Sequence, residues 1–232
     1  MALIDINDVS KIYGNEIALN HVDLKIEPGK IIALLGPNGS GKTTLIKLIN
    51  GLIPLTSGEI KVDNRPVGIE SKKIISYLPE RTYLDPNMSV IECMNFFKDF
   101  YEDFDLDRAY ELVSKLDINL NKKLSTLSKG TKEKVQLILV MSRRAKVYIL
   151  DEPIAGVDPA ARDYILDIIM NNFNEGSTLI ICTHLISDIE KILDEVVFLK
   201  KGRVMLQDTA DSVRAKYSGS IDQAFREVFR CF

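Results

Sequence analysis

The sequence of 232 residues is poor in cysteine and histidine, and it has neither a long apolar run nor a marked charge surplus. Each shortage narrows the reading. Cys93, Cys182 and Cys231 are odd in number and form no CxxC pair. A disulfide framework or thiolate metal site is therefore not expected, and they read as reduced, mostly buried thiols. The longest apolar stretches, such as Ile31 to Leu35, fall far short of the roughly 20 residues that cross a bilayer. Met1-Ala2-Leu3-Ile4-Asp5 has no basic start and no long apolar segment behind it, so no secretory signal is expected. With 30 basic against 33 acidic side chains, net −3, the chain has no polycationic surface for binding nucleic acid by phosphate neutralisation. Linkers, low-complexity tracts and internal repeats are missing too. What is present is an ordinary globular composition, 46% hydrophobic and 27% charged. The length suits a single α/β domain over 1–232 with a small insertion. A soluble, cytoplasmic protein is the expectation.

Apolar patterning sets out the order of elements. Strands are predicted at Leu3 to Val9, around Val22, Leu24 and Ile26, and over the continuous run Ile31 to Leu35. A Gly-rich loop then gives way to helical spacing from Lys42 to Asn50, and Glu59 to Asp63 reads as an antiparallel edge strand. Residues 89–127 change to helical character. Val90, Met94, Phe97 and Tyr101 share one helix face, which Phe96, Phe100 and Phe104 widen. That stripe is either the core of a helical subdomain or a partner-binding groove. A helix from Lys129 to Arg144, a strand Val147 to Leu150, a helix after Pro159 and a strand Thr178 to Cys182 follow. A helix over Leu185 to Leu193 and strands Val196 to Leu199 and Val204 to Gln207 complete an alternation that builds a mainly parallel sheet. Residues 209–232 read as a short helical tail, with Ser220 as an N-cap before Ile221, Phe225 and Phe229.

Two stretches carry chemistry. Gly36-Pro37-Asn38-Gly39-Ser40-Gly41-Lys42-Thr43, followed by Thr44, matches GxxxxGK[ST] between a buried strand and a helix. Glycines let the backbone wrap a phosphate, N–H groups at the helix start bind its oxygens, and Lys42 adds a positive charge. Thr43 would offer its hydroxyl to Mg²⁺. Val147 to Leu150 ends in Asp151 and Glu152. Adjacent acids at a buried strand end need a cation or a catalytic task to hold them. Asp151 is placed to bind Mg²⁺, directly or through water, and Glu152 to polarise an attacking water.

Taken with Lys11-Ile12-Tyr13-Gly14, Ala18-Leu19-Asn20 and Ile26-Glu27-Pro28-Gly29, these motifs resemble the ATPase domain of the ATP-binding-cassette (ABC) family. Leu127-Ser128-Lys129-Gly130-Thr131 looks like that family's LSGGQ signature, Ala155-Gly156-Val157-Asp158 like its D-loop and Thr183-His184 like its switch histidine. The motifs come in the family's order over nearly the whole chain. The resemblance implies a P-loop NTPase core with antiparallel edge strands and an inserted helical subdomain, binding ATP and Mg²⁺.

It also implies roles residue by residue. Tyr13 would stack on adenine. Ser128 and Gly130 would bind the γ-phosphate of ATP held by a second subunit, Asp158 would cross the same interface, and His184 would contact the γ-phosphate and the attacking water. His184 has a blander alternative as a helix cap, and His21 matches no motif and reads as structural. Two positions depart from the pattern. Glu80, in Ser76-Tyr77-Leu78-Pro79-Glu80, stands where a Mg²⁺-contacting glutamine is usual, a mark familiar from type-2 exporters. Lys129 and Thr131 replace a glycine and a glutamine of the signature.

The resemblance thus implies the ATP-hydrolysing subunit of a bacterial exporter. It would dimerise around two Mg-ATP and sit on the inner face of the membrane through a separate permease. The compact helical tail fits that class, with amphipathic or antimicrobial peptides a first guess at cargo. The alternatives are a soluble ABC ATPase acting on ribosomes or nucleic acid, or a catalytically weak partner in a heterodimer. The first normally carries a long coiled coil or a second ATPase domain, and neither is seen in this sequence.

Overall fold

A computed structural model of the chain describes residues 1–155, 157–217 and 219–230; the expectation for Cys231 lies outside these. Apolar side chains alternating with polar ones over much of their length make β1 (Ile4–Tyr13) and β2 (Glu16–Ile26), which pair as an antiparallel hairpin. Strand β1 runs four residues beyond the predicted Val9. The buried run gives β3 (Ile31–Leu35), and the glycine-rich loop leads into α1 (Lys42–Ile49), with Asn50 as its C-cap. Strands β4 (Ser57–Val62) and β5 (Arg65–Pro66) extend the hairpin into a four-stranded sheet of order β2-β1-β4-β5. The predicted antiparallel edge is therefore present.

Next come α2 (Ile69–Ile74), β6 (Ile75–Leu78), α3 (Val90–Phe100) and α4 (Leu106–Lys115). Ser89 caps α3 in a reciprocal box with Glu92, and Asp105 caps α4 through the Arg108 N–H. Helix α5 (Lys129–Met141) begins at the N-cap Ser128 and stops three residues before the predicted Arg144. Strand β7 (Val147–Asp151), α6 (Pro159–Asn172), β8 (Thr178–Cys182) and α7 (Ile186–Ile189) follow. The helix predicted to reach Leu193 breaks at Glu190 into a 3₁₀ turn. Strands β9 (Glu195–Lys200) and β10 (Arg203–Thr209), then α8 (Ala210–Lys216) and α9 (Ile221–Phe229), end the described chain.

The second sheet has the order β10-β9-β3-β8-β7-β6; its four pairings from β9 to β6 are parallel, and the β9–β10 hairpin at one edge is antiparallel. Two cores meet across it. On β7, Val147 and Ile149 face a core shared with α1 and the antiparallel sheet. Tyr148 and Leu150 face a core shared with α3 to α6 and the terminal helices. A strand buried on both faces reads as a continuous apolar run, as this one does. Phe225 and Phe229 close the second core against Phe198.

The aromatic stripe of α3 divides, contrary to the single widened face expected. Phe97 and Phe104 are 4% and 3% exposed, whereas Phe96 and Phe100 are 54% and 69% exposed. Helical geometry explains the split: Phe96 and Phe100, four residues apart, share a face about 100° from that of Phe97. Their rings stack on each other at 5.9 Å instead of entering the core.

Candidate active site

Parallel order places the C-terminal ends of β3, β7 and β8 side by side, where the loops of such sheets bind ligands. The loop after β3 carries Gly36 to Gly41. A Cβ on Gly36 would lie 2.2 Å from the Leu199 carbonyl and 2.6 Å from Ser40 Oγ. Only glycine fits there. Gly41, the N-cap of α1, has φ of 107° and approaches the Ala18 carbonyl, which turns the chain sharply into the helix. The loop is stitched by Ser40 N–H donating to the Pro37 carbonyl and Gly202 N–H donating to Ser40 O. Lys42 Nζ donates to the carbonyls of Gly36 at 2.7 Å and Pro37 at 3.2 Å, so its ammonium lies over the loop.

At the end of β7, Asp151 is buried and accepts from Thr43 Oγ1 at 3.4 Å. Desolvation raises its carboxyl above the usual range, and the negative charges of Glu80 and Glu152 push in the same direction. Glu152 has a left-handed φ of 54°, a conformation worth roughly 1–2 kcal/mol of strain for a residue with a side chain. Its N–H donates to the Cys182 carbonyl at 2.7 Å, which helps fix the turn. The carboxylate then meets His184 Nδ1 at 3.0 and 3.1 Å. His184 is thus more than a cap: its ring pairs with the candidate base.

These groups can be tested against a bound magnesium nucleotide. Ser40 Oγ is buried without a hydrogen-bond partner, inside a loop that has no room for a Cβ at Gly36. A hydroxyl and a destabilised carboxylate face each other at Thr43 and Asp151. An anion in the loop and an oxygen-seeking cation between these two side chains fit both features.

The other candidates lie around this centre. Glu80 is exposed just beyond β6, whose Leu78 pairs with Leu150 of β7, and its charge reaches Asp151. Tyr13 ends β1 opposite Glu16, on the hairpin whose Ala18 touches Gly41, and Lys11 Nζ lies 4.9 Å from its ring centroid. Ser128 caps α5 by accepting from Thr131 N–H at 3.1 Å and also meets the Thr131 hydroxyl. Ser128, Lys129 and Gly130 are exposed, with open space at Gly130 where a Cβ would stand. Asp158 is the exposed N-cap of α6, without a side-chain capping bond. Ser128, Gly130 and Asp158 have no hydrogen bond to the phosphate loop among the described residues, as groups serving a second nucleotide would not. His21 does pair within the chain, with Asp8 on the antiparallel sheet, but on the surface.

Sequence reasoning missed two neighbours of the centre. Cys182 pairs with Asp151 in the sheet register; burial pushes its thiol up, and the Asp151 charge adds to the effect. Burial also pushes up the Tyr77 phenol, with Asp151, Cys182 and Glu80 adding to the effect. Both positions look like plain strand residues, and only the sheet order reveals them.

The family model described as ABC transporter matches residues 19–155, more than half of the chain. The chain belongs to the ABC transporter family. The matched region holds the phosphate loop, Glu80, the signature, Asp151 and Glu152, whereas Tyr13, Asp158 and His184 lie outside it. Among relatives, the SkfA peptide export ATP-binding protein SkfE of Bacillus subtilis (strain 168) is 30% identical over 211 residues, 88% of each chain. The solved ATP-binding subunit of an ABC transporter superposes with a TM-score of 0.88 at 28% identity, covering 97% of this chain and 99% of that one. A bacterial ABC transporter cassette solved as a dimer gives 0.78 at 26% identity, over 89% and 98% of the two chains. This ABC protein therefore has the P-loop NTPase α/β fold of ATPase cassettes and is an ATP-binding, ATP-hydrolysing component of a transporter. Among its described residues no helix is long and apolar enough to cross a membrane.

Proposed function

We propose that this chain drives an exporter, hydrolysing ATP at an interface between two ATPase subunits while a separate membrane protein carries the cargo. The observation that carries the catalytic part is the Glu152–His184 pair, set beside Asp151, Thr43 and the phosphate loop. Backbone N–H groups over 38–44 and the Lys42 ammonium would hold the phosphates, with Gly36 and Pro37 shaping the loop. Thr43, Asp151 and Glu80 would hold Mg²⁺, which when bound neutralises phosphate charge. Glu152 takes a proton from the attacking water, and His184 orients the Glu152 carboxylate through Nδ1. Tyr13 supplies a π-face for adenine.

Ser128, Gly130 and Asp158 would complete the site of the second subunit, which accounts for their exposure and their distance in contact terms from this chain's own loop. Nucleotide bound between the two favours the closed dimer, and loss of the γ-phosphate removes that bias. Export is supported by the likeness to SkfE, a peptide export ATP-binding protein, and by Glu80 at the Mg²⁺ loop. Phe96 and Phe100 form an exposed apolar platform of the kind that receives a partner helix, here one from the permease. The chain would then lie at the inner face of the membrane. Peptide is the cargo this reading favours.

The test is affinity purification of the tagged chain from detergent-solubilised membranes, with its partners identified by mass spectrometry. A stoichiometric polytopic membrane protein is expected. Recovery with ribosomes or DNA, and no membrane protein, would leave an ATPase but end the exporter reading.

A further inference from the structure

A buried guanidinium stands between the exposed platform of α3 and the strand that leads to Glu80. Arg143 lies just past α5, and its side chain is 3% exposed. Its planar fork is bonded on three sides. Nε donates to Asp103 Oδ1 at 2.9 Å and Nη2 to Asp103 Oδ2 at 3.0 Å, a bidentate pair. Nη1 donates to the Ile75 carbonyl at 2.6 Å, and Nη2 also to the Lys73 carbonyl at 2.5 Å. The cation lies 3.8 Å from the ring centroid of Tyr101.

Those partners belong to two different parts of the fold. Tyr101 and Asp103 follow α3, and the Tyr101 ring meets the exposed Phe100 edge-on at 5.1 Å. Lys73 and Ile75 flank the start of β6, an edge strand held by β7 on one side only. The strand runs four residues from Ile75 to Leu78, and Glu80 comes two residues later. On the far side of Glu80, the Tyr83 phenol lies within electrostatic reach of both Tyr101 and Arg143. The segment bearing Glu80 is thus bonded to Arg143 before that residue, through the Lys73 and Ile75 carbonyls, and after it Tyr83 lies in the field of the same cluster. A lysine could not reproduce the arrangement, because a point charge cannot pair bidentately, stack flat and reach two carbonyls at once.

We propose that Arg143, locked by Asp103 and Tyr101, is a positioning residue that holds the Glu80 segment in place for the ATPase reaction. Its effect on activity rests on the reading of Glu80 as a ligand for Mg²⁺; its hold on the segment does not. Two measurements on the full chain separate these. In Arg143→Lys, amide hydrogen exchange over 75–84 should rise at least tenfold, while 36–44 and 128–135 keep the parent's protection. A rise spread evenly over the sheet, or none over 75–84, would overturn the proposal. Asp103→Asn leaves the guanidinium and its carbonyl bonds in place, and should give the same pattern more weakly; it serves if the lysine variant fails to fold.

The second measurement is the Mg²⁺ concentration for half-maximal ATP hydrolysis. Arg143→Lys should raise it several-fold, and Arg143→Lys/Glu80→Ala should match Glu80→Ala alone, because both act through one carboxylate. Additive shifts would contradict a route through Glu80. If Glu80→Ala leaves the Mg²⁺ dependence unchanged, the reading of Glu80 as a ligand fails, and the exchange pattern still decides what Arg143 holds.

Discussion

Replacing Glu152 by glutamine tests the centre of the site with the smallest change in shape. The amide occupies the carboxylate's volume and can still bond His184 Nδ1, now 3.0 Å away. Glutamine adopts the left-handed φ of 54° no more and no less readily than glutamate. Local structure should therefore hold, and what disappears is the ability to accept a proton. General-base catalysis contributes about 10²–10⁴ in rate, or about 3–5 kcal/mol of barrier. Phosphate release at saturating Mg-ATP should fall by that factor, while affinity for a fluorescent ATP analogue stays within about twofold of the parent. Because nucleotide binds without being consumed, sedimentation with Mg-ATP should show more dimer than in the parent. His184→Ala should cost less, about 10–100-fold, the worth of one hydrogen bond to a charged group. A Glu152→Gln protein that releases phosphate at the parent's rate would refute the assignment of the base. Equal loss of hydrolysis and of nucleotide affinity would instead give Glu152 a structural role.

Three further outcomes follow from the same geometry. Gly36→Ala would press a methyl to 2.2 Å from a carbonyl of the sheet; it should lower stability by about 3 kcal/mol, the upper end for overpacking, read from urea unfolding. Unchanged stability would mean that the loop can shift away from β9. Asp151→Asn should raise the thermal midpoint at pH 7 without nucleotide, since burial and the charges of Glu80 and Glu152 raise this carboxyl in the folded protein. The sign follows from linkage: the group's contribution is full below the ordinary aspartate value of about 3.9 and is lost as pH rises through the raised folded value. The variant's advantage should therefore vanish in acid, and an advantage independent of pH would refute it. Phe96→Asp with Phe100→Asp should leave the unfolding free energy within about 0.5 kcal/mol, because both rings are exposed, yet should abolish co-purification with a membrane partner; retained co-purification would remove the platform from the docking surface.

Much of this arrangement is legible in the chain because motif and element coincide. Gly36 to Thr43 falls between a strand and a helix, and Val147 to Glu152 is an apolar run closed by acids. The parallel order that sets Asp151 beside Cys182 is not legible, because pairing partners are far apart in sequence and nothing local specifies them. The aromatic stripe shows another limit. Phe96, Phe97, Phe100 and Phe104 are chemically alike, so periodicity alone cannot tell the ring facing Tyr101 and the core from the one facing water. Arg143 is hidden for a different reason. An arginine at a helix end reads as solvated, and its burial becomes visible only when α2, α3 and β6 converge on it.

The same comparison explains why the site is where local rules fail. Elsewhere many local choices agree with the fold: Ser89, Asp105 and Ser220 cap their helices, and apolar runs are buried. At the ends of β3 and β7 they do the reverse. Asp151 is buried with its carboxyl destabilised, Glu152 is held in a left-handed turn, and Ser40 Oγ has no partner. Each is unfavourable in the protein by itself, and each is relieved by a different part of one ligand. A cation stabilises Asp151, an anion in the loop gives Ser40 a partner, and the turn at Glu152 aims a base at the same point. Single features of these kinds occur elsewhere, as at the left-handed Asp117 and the unpartnered Gln136 Nε2, but only here, among the described residues, do three of them adjoin. Their meeting within one sheet end means that nucleotide and metal should stabilise the chain together far more than either does alone, and that the stabilisation should disappear in Asp151→Asn.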